Sequence, residues 1–120
     1  VMDEKVGVFR DEAGLREALE EVRTLKERFA HIKLDDRSWI YNTDLVSALE
    51  LENMLDLAEV TVLGALERRE SRGAHARRDY PKRDDERFLV HTLAYHTEKG
   101  PRLEYVPVRI TSWKPVERKY

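Results

Sequence analysis

From Asp11 to Ala30 the apolar residues Leu15, Ala18, Leu19, Val22, Leu25 and Phe29 recur at three- and four-residue steps. On a helix that spacing gathers them into one stripe. Glu12, Arg16, Glu20, Arg23 and Glu27 lie between them, spaced to pair along a solvated face. The pattern predicts an amphipathic helix with Asp11 as its N-cap. His31 to Tyr41 shows no period and reads as a connector. Asn42, Thr43 and Asp44 then offer N-caps for a second helix over Leu45 to Arg72, with Gly73 expected to end it in the left-handed conformation. Along that helix Leu45, Ala48, Leu49, Leu55, Ala58, Val62 and Ala65 form one face, and Leu51, Met54, Leu57 and Val60 widen it. A helix apolar over so wide an arc must pack on two neighbours or more. Met2 to Phe9 is therefore expected to be the tail of a third helix whose body precedes the chain.

Gly73 to Arg87 is a charged loop containing Tyr80-Pro81. Phe88 to Tyr95 and Leu103 to Ile110 are rich in β-branched and aromatic residues, and Thr97 to Pro101 between them is turn chemistry, which predicts a β-hairpin. Pro107 confines its strand to an edge or a non-bonding position. The expected fold is mainly α: an up-and-down three-helix bundle, first helix truncated, over residues 1–75, then a C-terminal extension over 76–120 holding the charged loop and the hairpin. An isolated hairpin is marginal in water, so this one must lie on something else.

Composition narrows the function. With no cysteine, disulfides, thiolate catalysis and cysteine metal sites are excluded, in keeping with a reducing compartment. A net charge of -2 over 120 residues argues against nucleic-acid binding. No apolar run approaches the ~20 residues needed to span a bilayer, so direct membrane insertion is not expected. Glutamine is absent, asparagine occurs only at Asn42 and Asn53, and 38% of residues are charged. That bias resembles proteins of thermophiles.

Candidate chemistry is sparse. Ser71, His75 and Asp79 are close in sequence, but a hydrolytic triad needs convergence in space and an oxyanion hole, which spacing alone does not supply. His91 and His96 fall on opposite faces of an extended chain, which argues against a shared metal. Gly7, Gly14, Gly64, Gly73 and Gly100 are scattered and form no phosphate-binding fingerprint. No catalytic, cofactor-binding or metal-binding residue is therefore assigned. Between Arg68 and Arg87, eight basic residues interleave with Glu70, Asp79, Asp84, Asp85 and Glu86. Such mixing forms ion pairs within the loop or across a protein contact rather than tracking phosphates.

The run Glu70-Ser71-Arg72-Gly73-Ala74-His75-Ala76-Arg77-Arg78-Asp79-Tyr80-Pro81, followed by Arg83 to Glu86 and His91-Thr92-Leu93, resembles the signature that closes the flavoprotein subunits of succinate dehydrogenase and fumarate reductase. Val6 to Arg10, Asn42 to Leu45 and the ending Pro115 to Tyr120 resemble that family too. L-aspartate oxidase shares a related glutamate-serine-arginine-glycine element, but the hairpin and tail fit the dehydrogenase branch better. The resemblance implies a parent subunit that holds FAD, interconverts succinate and fumarate, and passes electrons to an iron–sulfur subunit at the cytoplasmic or matrix face of a membrane. It implies no cofactor in this stretch, because the flavin-linking and substrate-binding residues of the family precede the matched region. Arg72, His75, Arg77, Asp79, Arg83 and Tyr120 are expected to face the flavin-binding domain. The isolated chain is expected to be inactive, and either to dimerise through its uncovered helix face or to refold its N-terminus over that face. The alternative is a free-standing helical module that binds a protein partner through that face.

Overall fold

The computed structural model describes residues 1–116. Asp11 caps the first long helix as its position requires, its carboxylate accepting from the Gly14 amide at 2.8 Å. This helix, α2 (Glu12–Phe29), follows a single helical turn, α1 (Met2–Lys5), and a short strand, β1 (Phe9–Arg10). Leu15, Ala18, Leu19 and Val22 turn inward as the stripe predicts. The second long helix, α3 (Thr43–Glu67), is capped by Asn42, which accepts from the Leu45 amide at 2.8 Å.

Lys26 meets Asp56 while Leu19 shares a cluster with Val62 and Leu66, so α2 and α3 run antiparallel. Their contact, closed by Val6 and Ala65, is the core, with Met2 and Leu63 packed on its edge. Leu15, Ala18 and Val62 are completely buried, and each large side chain so placed contributes about 1.5–3 kcal/mol. Midway along the helix pair Glu59 is also buried, accepting from Arg23 Nε at 3.1 Å and Lys26 Nζ at 2.7 Å. The core thus fills the C-terminal half of α3. Its N-terminal half is bare, with Leu45, Val46, Leu49, Leu51 and Met54 exposed, as is Leu57 just past the midpoint.

Several boundaries differ from those expected, among them the hairpin strands, which run Val90–Tyr95 and Arg102–Pro107 and so start after Phe88 and stop before Ile110. Met2 to Phe9 is helical only as far as Lys5; the chain then passes back over its own turn, so close that a Cβ on Gly7 would lie 2.6 Å from the Asp3 carbonyl oxygen. It leaves as β1, which pairs in parallel with β2 (Ala76–Arg77). The second helix ends at Glu67 and not at Arg72, because Arg68 turns extended (φ -81, ψ 93). The Arg68 guanidinium reaches the Phe88 and Val90 carbonyls and Thr92 Oγ1, at 2.8–3.0 Å. These contacts outweigh helix propensity. Gly73 does adopt the left-handed region (φ 59), but in a tight turn where Arg72 and His75 exchange backbone hydrogen bonds of 2.8 and 3.0 Å. Positive φ at the first central residue alone is the type II′ turn, which favours glycine there.

The hairpin is present: β3 (Val90–Tyr95) pairs antiparallel with β4 (Arg102–Pro107), from Val90↔Pro107 to Tyr95↔Arg102. Pro107 ends a strand that has no second neighbour among the described residues, in keeping with its missing amide. Arg68 ties the hairpin to the end of α3, and the Arg68 guanidinium lies 5.6 Å over the Phe88 ring.

Candidate functional site

The densest polar constellation lies where α3 ends, and two arginine–carboxylate units organise it. Arg77 is 1% exposed. Its Nη1 donates to the Ala65 and Leu66 carbonyls at 2.9 and 3.0 Å, closing off acceptors that the last turn of α3 leaves free. Its Nε and Nη2 form a fork on Asp79 at 2.8 and 2.6 Å. Asp79 in turn accepts from the Glu12 amide, at the start of α2, at 3.1 Å. A cation thus sits at one helix C-terminus and an anion at another's N-terminus, both favourable to the helix dipoles. The Arg77 hydrogen bonds hold the Asp79 carboxyl below its usual range against the opposing effect of burial.

Glu70 is the second unit and is fully buried. It accepts from Arg68 Nη1 at 2.7 Å, Arg72 Nε at 2.8 Å, Arg72 Nη2 at 3.0 Å and the Asp84 amide at 2.8 Å. Burial opposes its ionisation, but the hydrogen bonds from Arg72, Asp84 and Arg68 outweigh it and keep the carboxyl below its usual range. Arg72 extends the unit outward to Asp85 at 2.6 Å, and Arg83 pairs with the same carboxylate at 2.8 Å while donating to the Val116 carbonyl.

His75 sits between these units and β1. Arg10 Nη1 lies 2.8 Å from its Nδ1 and the Arg68 carbonyl 3.0 Å from its Nε2. A guanidinium only donates and a carbonyl only accepts, so the ring is neutral with its proton on Nε2. Burial pushes the His75 pKa down, and although the Arg68 carbonyl opposes this, the Arg10, Arg77 and Arg68 cations add to it.

Of the residues expected to face a neighbouring domain, the structure gathers Arg72, His75, Arg77, Asp79 and Arg83 around this constellation. Arg77 points fully inward, and Arg72 and Asp79 bond mainly within the chain. Tyr120 lies outside the described residues. Exposed on this surface are Arg69, Gly73, Ala74 and Arg78. Sequence reasoning singled out neither Glu70 nor Arg68 nor Arg10 individually. The interleaved signs of the loop announced internal ion pairs but not which carboxylate would be central.

Ser71, His75 and Asp79 do not converge as a triad. Ser71 Oγ donates to the Tyr80 carbonyl at 2.8 Å and accepts from the Arg77 amide at 2.8 Å, while the polar atoms of His75 and Asp79 are committed elsewhere. Among the described residues no three His, Asp or Glu side chains cluster as a metal site, and no helix is long and apolar enough to cross a membrane. Nor do the residues fit a flavin. The glycines make no shared cradle for a pyrophosphate, and the inner arginines of the loop are already neutralised by Glu70, Asp79 and Asp85.

Comparison with known proteins agrees with the sequence resemblance from end to end. The family model described as fumarate reductase flavoprotein C-term matches residues 1–120. The fumarate reductase flavoprotein subunit of Haemophilus influenzae is 46% identical over 121 residues, covering 100% of this chain and 20% of that protein. The succinate dehydrogenase flavoprotein subunit of Rickettsia bellii is 46% identical over 112 residues, covering 92% of this chain and 19% of that protein. Among solved structures, an E. coli quinol fumarate reductase chain superposes with a TM-score of 0.92 at 39% identity, over 97% of this chain and 20% of that one. The chain spans about a fifth of the length of the relatives it matches.

Proposed function

The chain belongs to the fumarate reductase flavoprotein C-terminal family, and on that premise we propose that it is the closing structural domain of an FAD-containing succinate dehydrogenase or fumarate reductase subunit. In this reading the parent interconverts succinate and fumarate and passes electrons to an iron–sulfur subunit, at the cytoplasmic or matrix face of a membrane to which it binds peripherally. Residues 1–75 supply the helical domain and residues 76–120 the extension, and both pack against the flavin-binding domain of the same subunit. The division follows secondary structure rather than stability, since β2 beyond it pairs with β1 before it.

The observation that carries this reading is the full-length match to a family of C-terminal segments, together with a polar constellation turned inward to hold helix ends. Arg77 and Asp79 fasten α3 to α2, and Glu70 fastens both to the hairpin through Arg68. Such a cluster fixes the shape of a surface instead of reacting. The exposed side of the same loop, around Arg69, Ala74 and Arg78 with the half-buried Arg83 beside them, is then what meets the flavin domain.

The test is to purify the subunit encoded by the whole reading frame beside the 120-residue chain, each incubated with FAD, and to read flavin absorbance after gel filtration. The whole subunit is expected to retain flavin and oxidise succinate, and the chain alone to do neither. Stoichiometric flavin on the chain alone would sink the assignment. A reading frame with no flavin-binding part upstream would favour the free-standing interaction module, which the bare half of α3 also suits.

A further inference from the structure

The apolar residues left uncovered are organised. Trp39, Ile40 and Tyr41 are consecutive at the tip of the connector between α2 and α3, with exposures of 97%, 74% and 95%. The loop that carries them is fixed from beneath. Asp44 accepts from the Asp35 amide at 2.9 Å, Asp36 from the Ser38 amide at 2.8 Å, and Asn42 Nδ2 donates to the Asp36 and Ser38 carbonyls at 3.0 Å each. Tyr41 is held at φ 54, the one non-glycine at positive φ among the described residues. A bulky side chain there is strained, and such strain concentrates at functional sites. The loop is therefore pre-organised to present two aromatics and an isoleucine, the residue classes that anchor protein contacts.

This loop continues into the bare half of α3. Trp39 and Leu45 line one concavity. On a helix of 3.6 residues per turn, Leu45 and Leu49 point one way, Val46 and Leu57 a second, and Met54 and Leu51 a third. All six are exposed. These exposed apolar residues spread over roughly two-thirds of the helix circumference, with Glu50, Glu52 and Asn53 interleaved among them, and a two-fold contact with a second copy would cover one side only. What can enclose it is a large body, and about four-fifths of each matched relative lies outside the region this chain matches. The charged loop Arg72 to Arg87, by contrast, has its inner charges neutralised internally.

We propose that the Trp39-Ile40-Tyr41 loop and the first half of α3 form an apolar plug enclosed by the preceding part of the same subunit, and that this surface, rather than the charged loop, holds the two parts together. The proposal rests on the family reading above. The charged loop then sets orientation, and the enclosing wall must be apolar, with a slot for the Trp39 indole.

Two measurements on the whole flavoprotein subunit test it, and flavin absorbance of the same sample decides the family reading separately. Radical labelling of Trp39 and Tyr41 is expected to be at least tenfold slower in the folded subunit than in the same subunit unfolded in urea. Equal labelling overturns the plug. Protection that depends on subunit concentration, or appears only when the iron–sulfur subunit is added, overturns the occupant. In the second, a protease site is placed directly before Val1 and the cleaved halves are run on gel filtration. They are expected to co-elute, to separate when Trp39→Asp and Ile40→Asp are combined, and to co-elute with Arg83→Ala. Separation of the unsubstituted halves, or separation caused by Arg83→Ala but not by the aspartates, overturns the proposal.

Discussion

Replacing Arg77 by methionine keeps most of the side chain's length and removes everything its guanidinium does. Two carbonyls at the end of α3, those of Ala65 and Leu66, lose their donor, and the Asp79 carboxylate loses a two-pronged partner. Orphaning a buried polar group costs about 1–3 kcal/mol, and breaking a buried pair by removing one member costs about 3–5 kcal/mol. Asp79 keeps some solvent, with 29% of its side chain exposed, and retains the Glu12 amide, so the lower part of the second range applies. The two costs overlap, since both follow from one lost cation, and the expected loss is about 3–4 kcal/mol. For a domain whose total stability is about 5–15 kcal/mol, that is a large fraction. With a urea m-value of roughly 1–3 kcal/mol/M, the midpoint of unfolding should fall by about 2 M, followed by circular dichroism on the 120-residue chain. Arg16→Met is the control: its partner Glu12 lies on the solvated face one turn away, and such a change should leave the midpoint almost unmoved. Adding Asp79→Asn to Arg77→Met should cost little more, because the pair acts as a unit. A midpoint shift below about 0.5 M for Arg77→Met, or strictly additive effects of the two changes, would refute the view that this unit fastens the helix ends.

Two further predictions concern the same region. His75 has its pKa lowered in the folded chain, so between that value and the unfolded value of about 6.5 the unfolded state binds the extra proton. Stability should then be complete above about pH 6.5 and decline as pH falls below it, a decline that urea titrations at several pH values would detect and that His75→Gln should remove. Glycine substitutions should act in opposite directions. Gly73→Ala is expected to cost about 1 kcal/mol, since Gly73 holds φ 59 in its tight turn. Gly64→Ala should gain up to about 1 kcal/mol, since Gly64 lies inside α3 with open space around it. Equal stability of the two variants by chemical denaturation would contradict both assignments.

What the sequence disclosed and what it withheld separate by range. The stripe of α2, the caps at Asp11 and Asn42 and the hairpin around Thr97 to Pro101 depend on neighbours a few residues away, and each stands where the pattern placed it. The end of α3 does not depend on neighbours. From Arg68 to Arg72 nothing local forbids a helix, and the chain leaves it because Arg68 finds carbonyls twenty residues onward while Glu70 is drawn inside by three donor groups and a backbone amide. The parallel pairing of Phe9-Arg10 with Ala76-Arg77 is likewise invisible to periodicity, being two residues long and joining segments far apart in sequence. Local rules assign energies of a few tenths of a kcal/mol per residue, and a buried charge with four hydrogen bonds overrides several of them at once. The same contrast explains the candidate site. Charge interleaving between Arg68 and Arg87 was enough to announce ion pairs within the loop, because it concerns composition. It could not rank Arg77, the last residue of β2 and buried, over the exposed Arg78 that follows it, since adjacent residues of identical type carry no local signal of which one turns inward. The surplus apolar residues of α3 were legible as a demand for more neighbours, and the fold answers only part of that demand. The core consumes Val62, Ala65 and Leu66 at one end. The unanswered part, from Trp39 to Leu57, is the half of the helix that lies beyond the reach of Arg77 and Glu70, so the polar constellation and the bare surface divide the chain between them: one end is fastened internally and the other is left to be enclosed.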